Sequence, residues 1–378
     1  MDNLLDWRVL QTDFRRARDC STDTNLRHHP AALPIILGTP RASILLRALP
    51  ILTSTPSPAI SPLALIADDM RAVDVVIAQR LATSVPLIGQ ISHYIIAAGG
   101  KRLRPALLLL VCGALGYRGE QRFNLAAVVE LIHTATLLHD DVVDESTMRR
   151  GRATANESFG NPASVLVGDF LHTRSFQMMV EAGSMRIMEI LSEATNVIAE
   201  GEVQQLINMH DASLDEAGYL RVIHSKTAKL FEASAQLGAI LAGSSPAVET
   251  ACATYGQALG TAFQIIDDVL DYDGEAAEMG KNIGDDLREG KSTLPLIAAM
   301  QRGTPEQAAT VRHAIEQGST EALEAIVAIV KTTGALEVAR TAAHAEAQRA
   351  IAALACIPSN MYSASLLQLA AQLLSRRT

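Results

Sequence analysis

Aromatic side chains make up only 4% of the 378 residues, so the core has to be built from Leu, Ile, Val, Ala and Met. The four cysteines, Cys20, Cys112, Cys252 and Cys356, lie far apart. That scatter excludes CxxC metal spacing and a disulfide framework, and it fits reduced thiols in a cytoplasmic protein. Basic excess is also missing: the net charge is −9, which argues against a nucleic-acid surface. The longest apolar run, around Pro105 to Gly116, is too short to span a bilayer and reads as a buried helix. No run of alternating polar and apolar residues bounded by turn signals suggests a sheet.

What is present is apolar sequence in helical phase. Apolar residues are 48% of the chain and charged residues 19%, enough for a sizeable core. Residues 1 to 57 stand apart. They carry Pro30, Pro34, Pro40, Pro50 and Pro56, scattered arginines and aspartates, and no hydrophobic period. This reads as a disordered or non-native extension rather than a signal or transit peptide. From about Ser61 onward apolar residues recur at three- and four-residue steps. Helices are predicted over Met70 to Leu87, Ile88 to Ala98, Leu103 to Leu115 and Phe123 to Val143. Thr304-Pro305-Glu306-Gln307 has the form of a capping box with proline at the first helical position. The expected fold is a single large all-α domain, a helical bundle spanning 58–378.

One pattern occurs twice. Asp140-Asp141-x-x-Asp144 and Asp267-Asp268-x-x-Asp271 each close an apolar helical run. Positions i and i+4 share a helix face, so Asp140 points with Asp144 and Asp267 with Asp271. The middle residues, Asp141 and Asp268, lie about 100° round from the first aspartate of each motif. A lone DDxxD is more simply a solvated helix face. Two of them on apolar helices, at C-terminal ends where the macrodipole opposes negative charge, require an offsetting cation. Oxygen donors without a His or Cys partner favour Mg²⁺, which binds through one or two carboxylates together with phosphate oxygens. Basic residues gather at breaks close by in sequence: Lys101 and Arg104 in GGKRLR, Arg149 and Arg150, Lys226-Thr227, and Lys281 and Lys291. Each alone reads as a surface charge. Together they suit a diphosphate gripped through metal on one side and by cations on the other.

At this point the residues amount to a signature. The stretches GGKRLRP, LIHTATLLHDDVVDESTMRRGRATAN, SVLVGDFLHTRSFQMM, EGEVQQL, SKTAKLFEASAQLGAILAG, GTAFQIIDDVLDY and GKNIGDDLREGKSTLPL run in one order. The chain resembles the trans-polyprenyl diphosphate synthases, and among them the bacterial octaprenyl diphosphate synthases of ubiquinone side-chain synthesis. The resemblance implies an isoprenoid-synthase bundle around a deep central cavity and a homodimer with one site per subunit. It implies that Lys101, Arg104, His133 and Arg150 hold the diphosphate of isopentenyl diphosphate. Arg149, Lys226, Thr227, Gln264 and Lys281 would hold an allylic diphosphate such as farnesyl diphosphate. Asp140, Asp144, Asp267 and Asp271 would bind that group through Mg²⁺, and the six motif aspartates with Lys226 make up the implied catalytic set. Lys291 is a further candidate contact. No stable membrane anchor is implied.

Product length can be argued from size. Short-chain members of the family place large aromatics at the positions of Ala135 and Thr136, one turn before Asp140. Small residues there leave a tunnel open, and a helical turn of about 5.4 Å is comparable to one isoprene unit. The floor is then deeper, among Val129, Phe170, Phe176, Met178 or Met179, although Met178 and Met179 read more simply as core. Other chain lengths, a terpene cyclase and an inactive subunit of a heteromeric synthase remain alternatives. The cyclase lacks a reason for Lys101 and Arg104, and the inactive subunit lacks a reason for a complete set of carboxylates.

Overall fold

The computed structural model describes residues 61–273 and 284–374. The extension expected over residues 1–57 therefore lies outside the described residues. The main helices are α1 (Ala67–Arg80), α2 (Pro86–Ala97), α3 (Leu103–Ala114) and α4 (Gln121–Val143). A short hairpin follows, β1 (Met148–Arg149) with β2 (Arg152–Ala153), then α5 (Ala155–Phe159), α6 (Asn161–Glu181), α7 (Met185–Asn208) and α8 (Glu216–Ile223). A π-turn, His224–Ala228, leads into α9 (Lys229–Leu241), and α10 (Pro246–Leu270) comes next. The remainder is α11 (Asp285–Arg288), α12 (Leu294–Arg302), α13 (Pro305–Gln317), α14 (Leu323–Thr332), α15 (Ala335–Ala353) and α16 (Met361–Leu374). The domain is an all-α bundle.

Two expectations need correction. The first helix was expected to run to Leu87, but α1 stops at Arg80 and a new helix begins at Pro86. Proline has no N–H to donate and suits the first turn, while the residue before it is driven out of helical conformation; Val85 is extended, at φ −96° and ψ 105°. The second concerns strands. None was expected, yet Met148 pairs with Ala153 and Arg149 with Arg152. Strands of two residues are too short to show any alternation.

The capping box at Thr304 is present as read: its hydroxyl accepts from the Gln307 amide and the Gln307 side chain accepts from the Thr304 amide.

The core has two parts. The larger gathers α3, α4, α6, α9 and the first half of α10, through residues such as Leu107, Leu110, Leu131, Phe231 and Tyr255. Every residue from Pro105 to Ala114 is buried, as expected for a helix apolar on all sides. The smaller part joins the end of α10, through Ile266, Val269 and Leu270, to α12, α13, α14 and α15. Helix α10 thus passes from one core into the other near Asp267. Its approach to α9 is close. A Cβ at Gly256 would stand 2.3 Å from the Phe231 carbonyl oxygen, and one at Gly260 2.8 Å from Ala228 Cα. That contact sets the π-turn directly against α10.

Candidate active site

The site starts from two helix ends. Asp144 caps α4, its amide donating to the Asp140 carbonyl at 2.8 Å. Asp271 caps α10 in the same way, donating to the Asp267 carbonyl at 3.3 Å. In both motifs the middle aspartate turns inward. Asp141 has no exposure, and its Oδ1 accepts from Arg149 Nε at 2.8 Å and from the guanidinium terminus at 2.7 Å. Burial raises its pKa, and the Arg149 bond opposes that rise. Asp268 is also buried. Its Oδ2 accepts from the Tyr219 hydroxyl at 2.6 Å and its Oδ1 from Gln264 Nε2 at 2.8 Å. Burial, then the neighbouring Asp286, pushes its pKa up. Asp141 and Asp268 therefore support other side chains, while Asp140 and Asp144 face lysines.

Those lysines connect the motifs. Lys226 Nζ lies 3.7 Å from Asp140 Oδ1 and 2.5 Å from Glu202 Oε2. Its neighbour Thr227 donates to Gln264 Oε1 at 2.9 Å, and Gln264 holds Asp268. Both residues ride on the π-turn, an interruption common at functional sites because it re-aims side chains. The second link runs through Lys291. Its ammonium pairs with Asp144 Oδ2 at 3.1 Å and with Glu289. Its amide donates to the Asp286 carbonyl at 2.9 Å, and the Asp286 amide donates to Asp271 Oδ2 at 3.3 Å. Burial would lower the Lys291 pKa, but Asp144, Glu289 and Asp286 together raise it above the usual lysine value. A cavity of about 120 Å³ is lined by Lys226, Thr227, Gln264, Asp268, Asp286 and Lys291, among others.

A basic wall stands beside α4. Arg150 and Gly151 form the hairpin turn with φ of +52° and +72°, the positive pair that a type I′ turn needs. Left-handed backbone at a non-glycine residue costs about 1 kcal/mol and is tolerated where it aims a side chain. The Arg150 guanidinium lies over Gly100. A Cβ there would be 2.7 Å from it and would displace the guanidinium, and the φ of +153° at Gly100 favours glycine as the second glycine of GGKRLR. Arg102, another left-handed residue, pairs with Asp74 and sits 3.9 Å from Glu130. Arg104 stacks on the Phe231 ring at 4.6 Å, and its Nε is buried without a hydrogen-bond partner. Burial lowers its pKa to about 10, against the pull of Glu130 and Asp267, so it stays cationic at neutral pH. His133 is held neutral: burial first, then Arg104, Arg149 and Arg150, push its pKa well below 6.5. A neutral imidazole can still donate one hydrogen bond to an anion. Lys101 is exposed at the entry to α3.

Lys281 lies outside the described residues. Ala135 is 1% exposed, and Val129 and Ile132 are fully buried in the main core. Thr136 is half-buried with its hydroxyl on the His133 carbonyl at 2.9 Å. Met178 and Met179 are core residues, as their simpler reading had it, and Phe170 and Phe176 pack against that core. Among the described residues no three His, Cys, Asp or Glu side chains are close enough to hold a metal unaided. The sequence reading gave no role to Glu202, Glu130, Tyr219 or Glu289. Single residues at helical spacing carry no signal of the partner they meet; Glu202 stood within EGEVQQL, the one available hint.

Comparison with known proteins gives the family. The polyprenyl synthetase family matches residues 85–332. Octaprenyl diphosphate synthase of Escherichia coli (strain K12) is 54% identical over 307 residues, covering 81% of this chain and 95% of that protein. An all-trans-nonaprenyl-diphosphate synthase (geranyl-diphosphate specific) of Rhodobacter capsulatus is 45% identical over 317 residues, covering 83% and 97%. The crystal structure of a polyprenyl synthase from Caulobacter crescentus, complexed with calcium and isoprenyl diphosphate, superposes with a TM-score of 0.81 at 44% identity, over 85% of this chain and 100% of that one. The chain belongs to the polyprenyl synthetase family, the trans-polyprenyl diphosphate synthases.

Proposed function

We propose that this protein is a prenyltransferase that condenses isopentenyl diphosphate units onto an allylic diphosphate, farnesyl diphosphate, to make octaprenyl diphosphate for the ubiquinone side chain. The observation that carries this reading is the pair of acidic helix ends, Asp140/Asp144 and Asp267/Asp271, linked through Lys226 and Lys291. Family membership and the octaprenyl synthase relative support it. The same reading takes a homodimer as the working form and the cytoplasm as its place. Among the described residues no helix is long and apolar enough to cross a membrane.

The donor set fits Mg²⁺. Each motif offers two carboxylates on one face and no imidazole or thiolate, which suits an ion that takes one or two carboxylates and fills its shell with phosphate oxygens and water. Bound there, Mg²⁺ would supply charge stabilisation for the leaving diphosphate. The chain's own residues do the rest. Asp140, Asp144, Asp267 and Asp271 would hold the ion and, with it, the allylic diphosphate. Arg149, Lys226, Thr227, Gln264, Lys281 and Lys291 bind its oxygens directly. Arg104, with a buried unpartnered Nε, joins Lys101, neutral His133 and Arg150 on the diphosphate of isopentenyl diphosphate. The allylic C–O bond breaks with its electron pair leaving on diphosphate. The isopentenyl double bond attacks the cation, and a proton passes to the released diphosphate.

The purified chain, given farnesyl and isopentenyl diphosphates with Mg²⁺, is expected to yield the octaprenyl product by mass spectrometry. A product of another length overturns the octaprenyl assignment, and no Mg²⁺-dependent diphosphate release overturns the enzyme reading. Ala135→Phe is expected to shorten the product, read by chromatography of the prenyl alcohols. Overpacking at this buried site would cost about 1–3 kcal/mol. Unchanged length would place the tunnel elsewhere.

A further inference from the structure

A third helix reaches the first acidic motif. Helix α7 crosses the π-turn at Gly201, where an added Cβ would stand 2.7 Å from Ser225 Cβ and 2.9 Å from the Lys226 amide nitrogen. Glu202 and Lys226 therefore leave their backbones at the closest approach of these two segments. Their side chains meet at 2.5 Å, and the Lys226 ammonium lies 3.7 Å from Asp140. Glu202 belongs to neither DDxxD motif. The groups that act on its carboxylate are Asp140 and Asp144 from α4 and Lys226 from the π-turn. A third carboxylate close to two others is repulsive unless a cation stands between them, and Lys226 is that cation.

We infer that Glu202 is a positioning residue: it holds the Lys226 ammonium over Asp140, in the place where a diphosphate would meet it. Lysine is a point charge on four flexible methylenes, so its aim depends on a partner. The π-turn fixes the root of Lys226, Asp140 is too distant for a normal hydrogen bond, and Glu202 fixes the tip. Without Glu202 the ammonium can swing fully onto Asp140 and mask the carboxylate that the Proposed function assigns to the metal-bound diphosphate. The inference rests on that assignment of Lys226 and Asp140.

A double-mutant cycle tests it, using the full chain. Glu202→Gln keeps the shape of the side chain and removes its charge. The expected result is a fall in kcat of about 10-fold or more, the usual loss for a charged hydrogen bond, with the KM for isopentenyl diphosphate unchanged. Lys226→Ala should lose more. Glu202→Gln added to Lys226→Ala should cause no further loss, because a residue that helps only through Lys226 has nothing to hold once it is gone and leaves only its repulsion of Asp140 and Asp144 to be relieved. Glu202→Asp is expected to restore part of the activity. Binding of inorganic pyrophosphate with Mg²⁺, followed by calorimetry, should weaken in the same non-additive pattern without any turnover. Losses that multiply in the double variant, or full activity in Glu202→Gln, overturn the inference while wild-type turnover stands. An inactive wild-type chain overturns both this inference and the function it rests on. Thermal melts of each variant identify loss of fold, and in that event the pyrophosphate cycle on Glu202→Asp and Lys226→Ala decides the case.

Discussion

The two acidic motifs have the same spelling and the same place at the end of an apolar helix, but their middle residues do different jobs. Asp141 binds a cation, Arg149, from the hairpin that follows it. Asp268 binds two neutral donors, Tyr219 from α8 and Gln264 from one turn earlier on its own helix. The first motif thus brings its own positive charge to the site. The second relies on the polar chain Thr227–Gln264–Asp268 to connect it with Lys226. A repeated motif shows where carboxylates converge; the surroundings decide what each buried carboxylate supports.

This contrast can be broken or sharpened in order of expected effect. Asp140→Asn and Asp267→Asn should each lower kcat/KM by about 10³-fold, the scale for removing one charge-stabilising group. Incorporation of labelled isopentenyl diphosphate at varied Mg²⁺ measures it, and loss at only one motif would show that the two helix ends do not grip one group. Next comes Asp141→Asn, which leaves the Arg149 guanidinium without its buried counter-charge. It should destabilise the fold by about 2–3 kcal/mol in denaturant titration. Asp268→Asn should cost about 1 kcal/mol or less, because an amide can still accept from Gln264 and donate to the Tyr219 oxygen. Equal costs would erase the distinction between the motifs.

Helix α4 differs from α10 in a second way, since it carries a histidine kept neutral among arginines. The folded pKa of His133 lies below the unperturbed 6.5, so its contribution to stability is complete above that value. Stability is lost as pH falls from about 6.5 toward the folded pKa, at about 1.4 kcal/mol per pH unit, because the unfolded chain takes up the proton first. Unfolding curves between pH 7 and 5 should show this slope in the wild type and a flatter one in His133→Gln.

Much of this was readable beforehand. The helical phase from Ser61 onward, the capping box at Thr304 and both DDxxD motifs follow from spacing alone, and the shared face of Asp140 and Asp144 follows from helix geometry. The 100° offset of Asp141 and Asp268 was readable too, but it does not say that both turn inward, onto Arg149 and onto Tyr219 and Gln264. Other features have no local signature. Strands of two residues leave no alternation, so the hairpin that aims Arg149 and Arg150 was invisible. Glu202 and Tyr219 gain their meaning from partners 24 and 49 residues away, and spacing along one helix says nothing about a partner on another.

The π-turn at His224–Ala228 works as a phase shifter. Helix α8 enters it and α9 leaves it, and the extra residue in that turn rotates Lys226 and Thr227 relative to everything downstream. Each residue in a regular helix advances the face by about 100°. Deleting His224 would let a single regular helix form, and the remaining side chains would survive while their bearings would not. Lys226 would no longer point with Glu202 toward Asp140, nor Thr227 toward Gln264. The site is therefore encoded partly as a count of residues, and at this turn chain length matters as much as residue identity.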